Sequence, residues 1–488
     1  MKISKNTILY FVLLIWLIIQ LITLDKVPLP WFDEVFFKSL SDNLSKNRNF
    51  YVPITILEQE VKIYGFVYFI LTAFSQTIIG NSIFGFRIVN FLAGLLVVYW
   101  FWKKNKENNF RSTWILILLL DPFFNLCLHE ARMDLTATLL LLLTFDSFSK
   151  PTYFNICKGS FFGGLALLTT LRSAFMGFGL GILLILSAYN AQKSILITLK
   201  KCLLSLSIVF IIYVFWILIA FGNFKIFFDY FLSKSTFNDY ESSLAGWFVG
   251  GTLYIPKHQY LLLFLVLITS SIALYQQKKQ FFREKEIFIF VVLIVSFHIL
   301  VKDYGQYSIF ILCFYYLLLI RFVSLIKGKI ISSLVLFLLF SFNLGYFILK
   351  NTQVFLHYSQ RNPEVALQFI QKNIPKNSKV IGESLYMYAV TGAGSDYQII
   401  EMYGTLENRE KKQREIFKYQ YLIVTKQSEW RFKNIIDYYF LKNPKLKKKA
   451  VLNIPIDDFY KKIMQFLPLS QNENDGYNAT IYEIDAVK

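Results

Sequence analysis

Long apolar segments are the feature that most constrains this chain. The first runs from Ile8 to Leu24 and follows Lys2 and Lys5. An apolar run of about 18 or more residues is long enough to cross a membrane as a helix. No small-residue cleavage site follows the first run and many more runs come after it, so we interpret it as an uncleaved membrane helix. The sequence therefore predicts an α-helical polytopic membrane protein.

Composition agrees with this fold class. Of the 488 residues, 55% are hydrophobic and only 17% are charged, whereas a soluble surface needs more charge. The net charge of +19 would suggest nucleic acid for a soluble protein. Here we predict no nucleic-acid partner and assign the excess to cytoplasmic loops beside membrane lipids. The four cysteines lie in or beside apolar stretches, so we expect neither a disulfide framework nor a thiolate zinc site.

The basic loops give a hypothesis for topology. Three basic clusters, Lys103–Arg111, Lys278–Lys285 and Arg321–Lys329, all become cytoplasmic if segment 63–80 only dips into the outer leaflet. The polar side chain of Gln76 makes a full membrane crossing by that segment less favourable than by the others. We therefore predict eleven crossings, with a cytoplasmic N-terminus and an external C-terminus. The apolar segments are 8–24, 63–80, 85–102, 112–128, 134–148, 160–171, 174–188, 201–221, 259–275, 287–301, 306–320 and 330–349.

Segments 160–171 and 174–188 are each shorter than the roughly 20 residues of an ordinary span. We predict a helical pair that meets at Arg172 near the outer surface, because a charged side chain within the membrane is costly. The alternative is one long span, which would reverse the side of everything downstream.

The character of the chain changes near Asn351. We predict a helix at Pro363–Asn373 and strands at Lys379–Gly382, Tyr421–Thr425 and Thr480–Ile484, which suit a small α/β domain. The expected division is a membrane module, 1–350, and an extracytoplasmic soluble domain, 351–488. The basic run Lys442–Lys449 is interpreted as a solvated face, with contact to anionic lipid as the alternative.

Under this topology the outer face carries acids. The adjacent pair Asp33 and Glu34 follows the first helix. A carboxylate against an apolar wall can act as a general base, although acids are also favoured at a helix N-terminus. Glu130 and Asp134 would share one face if their segment is helical, and could orient a sugar or bind a divalent cation. His129 beside them raises a metal hypothesis, and a charged cap between helices is the alternative.

Cations occur on the same side. Lys62 and Arg87 lie at segment ends, either as anchors at the membrane edge or as ligands for a phosphate. Arg172, Lys302 and Tyr307 add positive charge and hydrogen-bonding capacity. Acids and cations together suit attack on a phosphate ester whose lipid tail lies in the bilayer, with the cations stabilising the leaving phosphate.

Several stretches share a pattern with one known group of enzymes. The Asp33-Glu34 pair, the motif Glu130-Ala131-Arg132-Met133-Asp134 and the link Gly80–Arg87 are similar to motifs of that group. Weaker similarities occur around Lys62, in the Gly-Leu-rich stretch Gly164–Thr169 followed by Arg172, and at Gln306-Tyr307. From helix one to about Tyr316 the chain resembles the GT-C superfamily of polyprenyl-phosphate-sugar glycosyltransferases. Within it, the chain is most similar to bacterial protein O-mannosyltransferases and aminoarabinose transferases.

The resemblance implies an inverting transfer at the outer face. Asp33 would act as base towards an acceptor hydroxyl or amine. Glu34 and Asp134 would orient acceptor or sugar, and Glu130 and Tyr307 would contact substrate. Lys62, Arg87, Arg132, Arg172 and Lys302 would supply the cations that hold the polyprenyl phosphate. No residue is assigned to a metal, and a requirement for a divalent cation stays open.

Other functions stay open as well. A lipid-linked glycan flippase would place charges in a helical bundle, but such transporters tend to show inverted repeats and charges at mid-membrane. A non-catalytic membrane scaffold is a second alternative, and a diphosphate-linked donor is a third. The sugar is not defined, and the acceptor could be a lipid, a glycan or a protein.

Overall fold

The computed structural model describes residues 5–48, 65–235, 259–300, 307–399, 419–425, 446–455 and 476–484. Up to Leu356, all regular structure in these residues is helical. The helices are α1 (Lys5–Thr23), α2 (Phe32–Asn47), α3 (Val67–Ile79), α4 (Ile83–Lys104), α5 (Arg111–Leu120), α6 (Pro122–His129), α7 (Asp134–Ser149), α8 (Tyr153–Leu167), α9 (Ala174–Gln192), α10 (Ile195–Phe221), α11 (Phe224–Ser235), α12 (Tyr260–Arg283), α13 (Lys285–Leu300), α14 (Ile309–Leu325) and α15 (Lys329–Leu356). A helix lies in each predicted apolar segment, which confirms the α-helical class.

Five helical stretches of the described chain are long and apolar enough to cross a membrane alone: α4, Leu171–Gln192, α10, α12 and α15. The pair α5 and α6, bent by 58° at Asp121, makes a sixth. At about 1.5 Å per residue, the 22 residues of α4 cover roughly 33 Å, close to the ~30 Å core of a bilayer. Large apolar side chains such as Phe210 and Phe215 on α10 are exposed, as expected for a lipid-facing surface. The total of eleven crossings and their orientation stay predictions.

Helix α3 stays at one end of the bundle. The ring of Tyr68, in its first turn, lies 6.1 Å from that of Phe86. Seven residues later, the Ser75 hydroxyl donates to the Gly85 carbonyl at 2.6 Å. Tyr68 and Ser75 of α3 therefore both contact the first turn of α4. Its 13 residues are too few for a full span, and the shallow insertion of this segment stays a prediction.

Helices α8 and α9 are separate, and a 3-10 turn at Leu171–Ser173 joins them. The expected helical pair is confirmed, and Arg172 lies in the joint. The alternative of one continuous span does not form.

A mixed sheet forms the C-terminal domain. Its strands are β1 (Lys379–Gly382), β2 (Asp396–Ile399), β3 (Tyr421–Thr425), β4 (Leu446–Leu452) and β5 (Ala479–Ile484), with α16 (Tyr358–Arg361), α17 (Pro363–Asn373) and α18 (Met387–Gly392). The strand order is β2-β1-β3-β5-β4. Strand β1 is parallel to both of its neighbours, and β5 is antiparallel to β3 and β4. The predicted α/β domain is confirmed.

Local sequence explains the start of this domain. Helix α17 begins where the Asn362 side chain accepts the Glu364 N–H at 3.1 Å and Pro363 occupies the first turn.

Lys447, Lys448 and Lys449 are exposed on the edge strand β4, where charge discourages pairing with another chain. The remainder of the basic run, 442–445, lies outside the described residues.

The domain packs on the segment that joins α1 to α2. Helix α15 continues past residue 350, the predicted domain boundary, to Leu356. The Arg361 Nε then donates to the Lys26 carbonyl at 3.1 Å. The Lys26 ammonium lies 5.0 Å from the Tyr358 ring centre, and that of Lys38 lies 5.3 Å from the Tyr388 ring centre. The domain and the start of α2 therefore form one packed unit.

The predicted topology can be tested by labelling single cysteines in a variant that lacks Cys157 and Cys202. A cysteine at Lys372, in α17, should react in intact cells with a membrane-impermeant maleimide. A cysteine at Lys106, between α4 and α5, should react only after the membrane is opened. Equal reaction at both positions in intact cells would contradict the orientation.

Candidate active site

The first turn of α2 presents two acids in different directions. Trp31 is extended and Phe32 begins the helix, so Asp33 and Glu34 lie where the helix dipole favours negative charge. Successive residues of a helix point about 100° apart. The Glu34 side chain is accordingly fully buried, whereas that of Asp33 keeps 32% of its surface exposed.

Glu34 pairs with Arg87 of α4. The Arg87 Nε and Nη2 donate to the two Glu34 carboxylate oxygens, each at 2.7 Å, and Nη1 donates to the Leu24 carbonyl at 2.9 Å. Both side chains have no exposed surface. The pair fastens α2 and the end of α1 to α4. The substrate-binding roles expected of Glu34 and Arg87 stay predictions. In this structure the two side chains bind each other.

The segment between α6 and α7 is not helical. Glu130 is extended, with φ −91° and ψ 133°, and α7 begins at Asp134. Glu130 and Asp134 therefore do not share a helix face, as helical spacing would have required. The Asn90 amide of α4 instead donates to the carbonyl of Glu130, at 2.5 Å, and to that of Arg132. Sequence reasoning missed Asn90; the signal was a polar residue inside an apolar segment.

Arg132 connects three parts of the site. Its Nε donates to Asp134 at 2.8 Å, its Nη1 donates to Asp33, and its Nη2 donates to the Tyr307 hydroxyl at 3.2 Å. The guanidinium also lies 5.3 Å from the Trp31 ring centre and 5.9 Å from that of Phe37. Aromatic faces attract such a cation. All three nitrogens of the fork are thus used within the protein.

Arg172 contacts the same tyrosine. Its guanidinium carbon lies 3.9 Å from the Tyr307 ring centre, and the residue is exposed. The structure thus brings together Asp33, Arg132, Asp134, Arg172 and Tyr307 from four separate regions of the sequence. The predicted ligands Lys62 and Lys302 lie outside the described residues.

Two polar atoms of the site have no hydrogen-bond partner among the described residues. They are Oδ1 of Asp134 and Nε1 of Trp31, and both are buried. An unpaired buried polar atom costs about 1–3 kcal/mol. One acceptor and one donor are therefore available to a bound molecule.

His129 serves a different purpose. Its Nδ1 donates to the Val27 carbonyl at 2.7 Å, and its Nε2 contacts the Gln20 side chain. Both ring nitrogens are used in joining α6 to α1 and the segment after it, so His129 has none left for the proposed metal site. Over the described ranges no three His, Cys, Asp or Glu side chains come close enough to hold a metal ion.

Comparison with known proteins gives a fold. No family model matches the chain, and no curated protein matches it. The crystal structure of ArnT from Cupriavidus metallidurans bound to undecaprenyl phosphate is similar, with a TM-score of 0.59 over 98% of each chain and 12% identity. The chain has the ArnT fold.

The apo structure of ArnT gives the same result, with a TM-score of 0.56, 12% identity and 98% of each chain covered. Because the match covers both chains almost completely, it includes the helical bundle and the C-terminal domain. The expected GT-C-like polytopic architecture with a terminal soluble domain is confirmed. At 12% identity the likeness to ArnT concerns the fold, and the site must be argued from its own residues.

The Glu34–Arg87 pair predicts different stabilities for the two adjacent acids. Glu34→Gln leaves a buried guanidinium without its counter-charge, which costs about 3–5 kcal/mol. Asp33→Asn removes a partly exposed partner and should cost about 1 kcal/mol or less. Thermal unfolding in detergent should show a lower midpoint for Glu34→Gln than for Asp33→Asn. The double variant Glu34→Gln/Arg87→Gln should recover part of the loss, and equal midpoints for the two single variants would contradict this assignment.

Glu130 predicts a pH dependence of stability. Burial raises the pKa of Glu130 to about 8, with the charges of Glu34 and Asp134 adding to the effect and those of Arg132 and Arg87 opposing it. In the unfolded chain this carboxyl ionises near 4.5, so the folded state holds the proton more tightly. The contribution of the protonated carboxyl to the free energy of unfolding should be full below pH ~4.5. It should be lost as the pH rises to about 8, and should stay lost above that.

The measurement is thermal unfolding of wild type and Glu130→Gln between pH 5 and 9. The difference between their midpoints should shift in favour of Glu130→Gln as the pH rises. A difference that is constant with pH would contradict the assignment of a proton to Glu130.

Proposed function

We propose that this protein is an integral membrane glycosyltransferase of the GT-C type. It would move a sugar from a polyprenyl-phosphate donor to an acceptor on the extracytoplasmic face. The observation that carries the proposal is the cluster of Asp33, Arg132, Asp134, Tyr307 and Arg172 at one end of an apolar helical bundle. The fold supports it, since ArnT with this fold was crystallised with undecaprenyl phosphate bound.

Asp33 is the acid that an acceptor can reach. Its side chain is 32% exposed. The Glu34 side chain is fully buried and pairs with Arg87, and the Asp134 side chain is almost fully buried. Arg132 binds one oxygen of Asp33, Oδ2, and thereby orients the carboxylate. The other oxygen, Oδ1, would accept the proton of the acceptor hydroxyl or amine. Asp33 is therefore the proposed general base, and Arg132 is its positioning residue.

The transfer is a single displacement with inversion. The acceptor oxygen or nitrogen forms a bond to the anomeric carbon while the bond from that carbon to the phosphate oxygen breaks. The proton of the acceptor passes to Asp33, and the electron pair of the broken bond leaves with the polyprenyl phosphate. A phosphate monoester has a second pKa near ~6, so its departure requires cations more than a strong acid.

Arg172 is the described cation best placed for that phosphate. It is exposed, and it stacks on Tyr307 without an ion pair to any acid in the described ranges. Arg132 is less suited to the phosphate, because its three nitrogens already bind Asp33, Asp134 and Tyr307. Lys62 and Lys302 remain proposed as further phosphate ligands. The unpaired Oδ1 of Asp134 would accept a hydroxyl of the sugar.

The test is transfer of labelled sugar from synthetic polyprenyl-phosphate donors in membranes. Asp33→Asn should lower transfer by about 10²–10⁴-fold, the usual effect of losing a general base. A matched control is Asp25→Asn, since Asp25 lies on the α1–α2 connection just ahead of Asp33 but pairs with Lys26 at 2.7 Å, outside the cluster. That control should keep its activity.

Folding is checked by thermal unfolding of both variants. Equal transfer by wild type and folded Asp33→Asn would remove Asp33 as the base. If folded wild type transfers no sugar from any donor, but moves the labelled lipid between leaflets, the protein is a flippase and the glycosyltransferase proposal fails.

A further inference from the structure

A polar cavity lies at the end of the bundle opposite to the candidate active site. It has a volume of about 430 Å³ and lies between the α4–α5 connection and the ends of α14 and α15. Trp114, Ile320 and Val323 form apolar parts of its wall. Its polar lining is formed by Lys104, Asn105, Glu107, Asn108, Asn109, Arg321, Ser324 and Ser332.

This cavity is distinct from the candidate active site. Helix α4 carries Arg87 in its first turns and ends at Lys104, 17 residues later, which is about 26 Å along a helix. Helix α14 likewise begins just after Tyr307 and carries Arg321 near its other end. Both helices therefore run from the active site to the cavity.

Positive charge is concentrated around the cavity. Two of the basic clusters seen in the sequence meet here, one on the α4–α5 connection and one on the α14–α15 connection. Their members are Lys103, Lys104, Lys106, Arg111, Arg321, Lys327 and Lys329. Lys104 and Arg321, one from each basic run, line the cavity together with one acid, Glu107.

The cations that line the cavity are only weakly held. Lys104 lies 3.5 Å from Asp146, and Arg321 pairs with Glu286; the four side chains are between 25% and 43% exposed. Ion pairs this exposed contribute little to stability, so a stronger anion can compete for the cations.

Asparagine amides add neutral donors at the same rim. The Asn108 Oδ1 accepts the Phe110 N–H at 2.8 Å, which leaves the amide nitrogen as the group that Asn108 can offer to a ligand. Donors and cations together suit a phosphate oxygen.

We propose that this cavity binds the phosphate group of an anionic membrane lipid. The cavity lies where the apolar helices α4, α5, α14 and α15 end, which is the level of lipid headgroups. Exposed Trp102, Phe110 and Ile330 flank it, and aromatic side chains are enriched at that level of membrane proteins. A lipid can place its phosphate in the cavity and its acyl chains against these side chains, whereas a free phosphate uses only the polar half.

The experiment measures binding to purified full-length protein in a neutral detergent. Thermal unfolding is followed while phosphatidylglycerol, phosphatidylcholine or inorganic phosphate is added. Phosphatidylglycerol should raise the midpoint and the others should not, because a ligand of the folded state stabilises it by mass action. Lys104→Gln/Arg321→Gln should need at least tenfold more phosphatidylglycerol for the same shift.

A matched control removes two charges outside the lining. Lys278 and Lys279 are exposed near the end of α12, whose Phe281 ring stacks 5.5 Å from Phe322 of α14, so they lie at the same end of the bundle. Lys278→Gln/Lys279→Gln should respond to phosphatidylglycerol as wild type does. Equal weakening in both double variants would show unspecific attraction and overturn the proposal.

Two further results keep the test decisive. Asn108→Asp retains the oxygen that accepts the Phe110 N–H but adds a negative charge at the rim, so it should weaken the lipid response without loss of fold. An unchanged response would overturn the proposal. A midpoint shift with inorganic phosphate as large as that with phosphatidylglycerol would overturn the assignment to lipid.

Discussion

The buried guanidinium of Arg132 is the group on which the arrangement of the site depends. It joins Asp33 of α2, Asp134 of α7 and Tyr307 ahead of α14. The Asn90 amide donates to the carbonyls of Glu130 and Arg132, so the backbone that carries Arg132 is fixed from α4. Each of the three guanidinium nitrogens of Arg132 donates to a protein group, so Arg132 fixes the geometry of the site.

Charge balance explains why two arginines are buried here. Glu34 and Arg87 neutralise each other completely, whereas Arg132 faces both Asp33 and Asp134. Burial raises the pKa of the Glu130 carboxyl, and the negative charges of Glu34 and Asp134 add to that effect. The exposed guanidinium of Arg172 on Tyr307 is the second cation of the cluster and balances the remaining acid.

Much of the fold follows from the sequence alone. The apolar segments, the joint at Arg172, the helix Pro363–Asn373 and three strands are read from local patterns, and the structure contains them. Local patterns do not show which side chains meet. The pairing of Glu34 with Arg87, 53 positions away, and the two hydrogen bonds donated by the Asn90 amide were therefore not predicted. The shared face of Glu130 and Asp134, expected only for a helical segment, does not form, because that segment is extended and two of its carbonyls accept from the Asn90 amide.

The packing of the C-terminal domain on the start of α2 has a consequence for evolution and engineering. Lys26 and Lys38 lie over rings of that domain, and Arg361 binds the connection that leads to Asp33. The domain is therefore not an interchangeable module: its surface and the α1–α2 connection must change together. A chimera that receives only the C-terminal domain of a relative would have a mismatched interface close to Asp33. A chimera that receives both the domain and the α1–α2 connection would keep this interface intact.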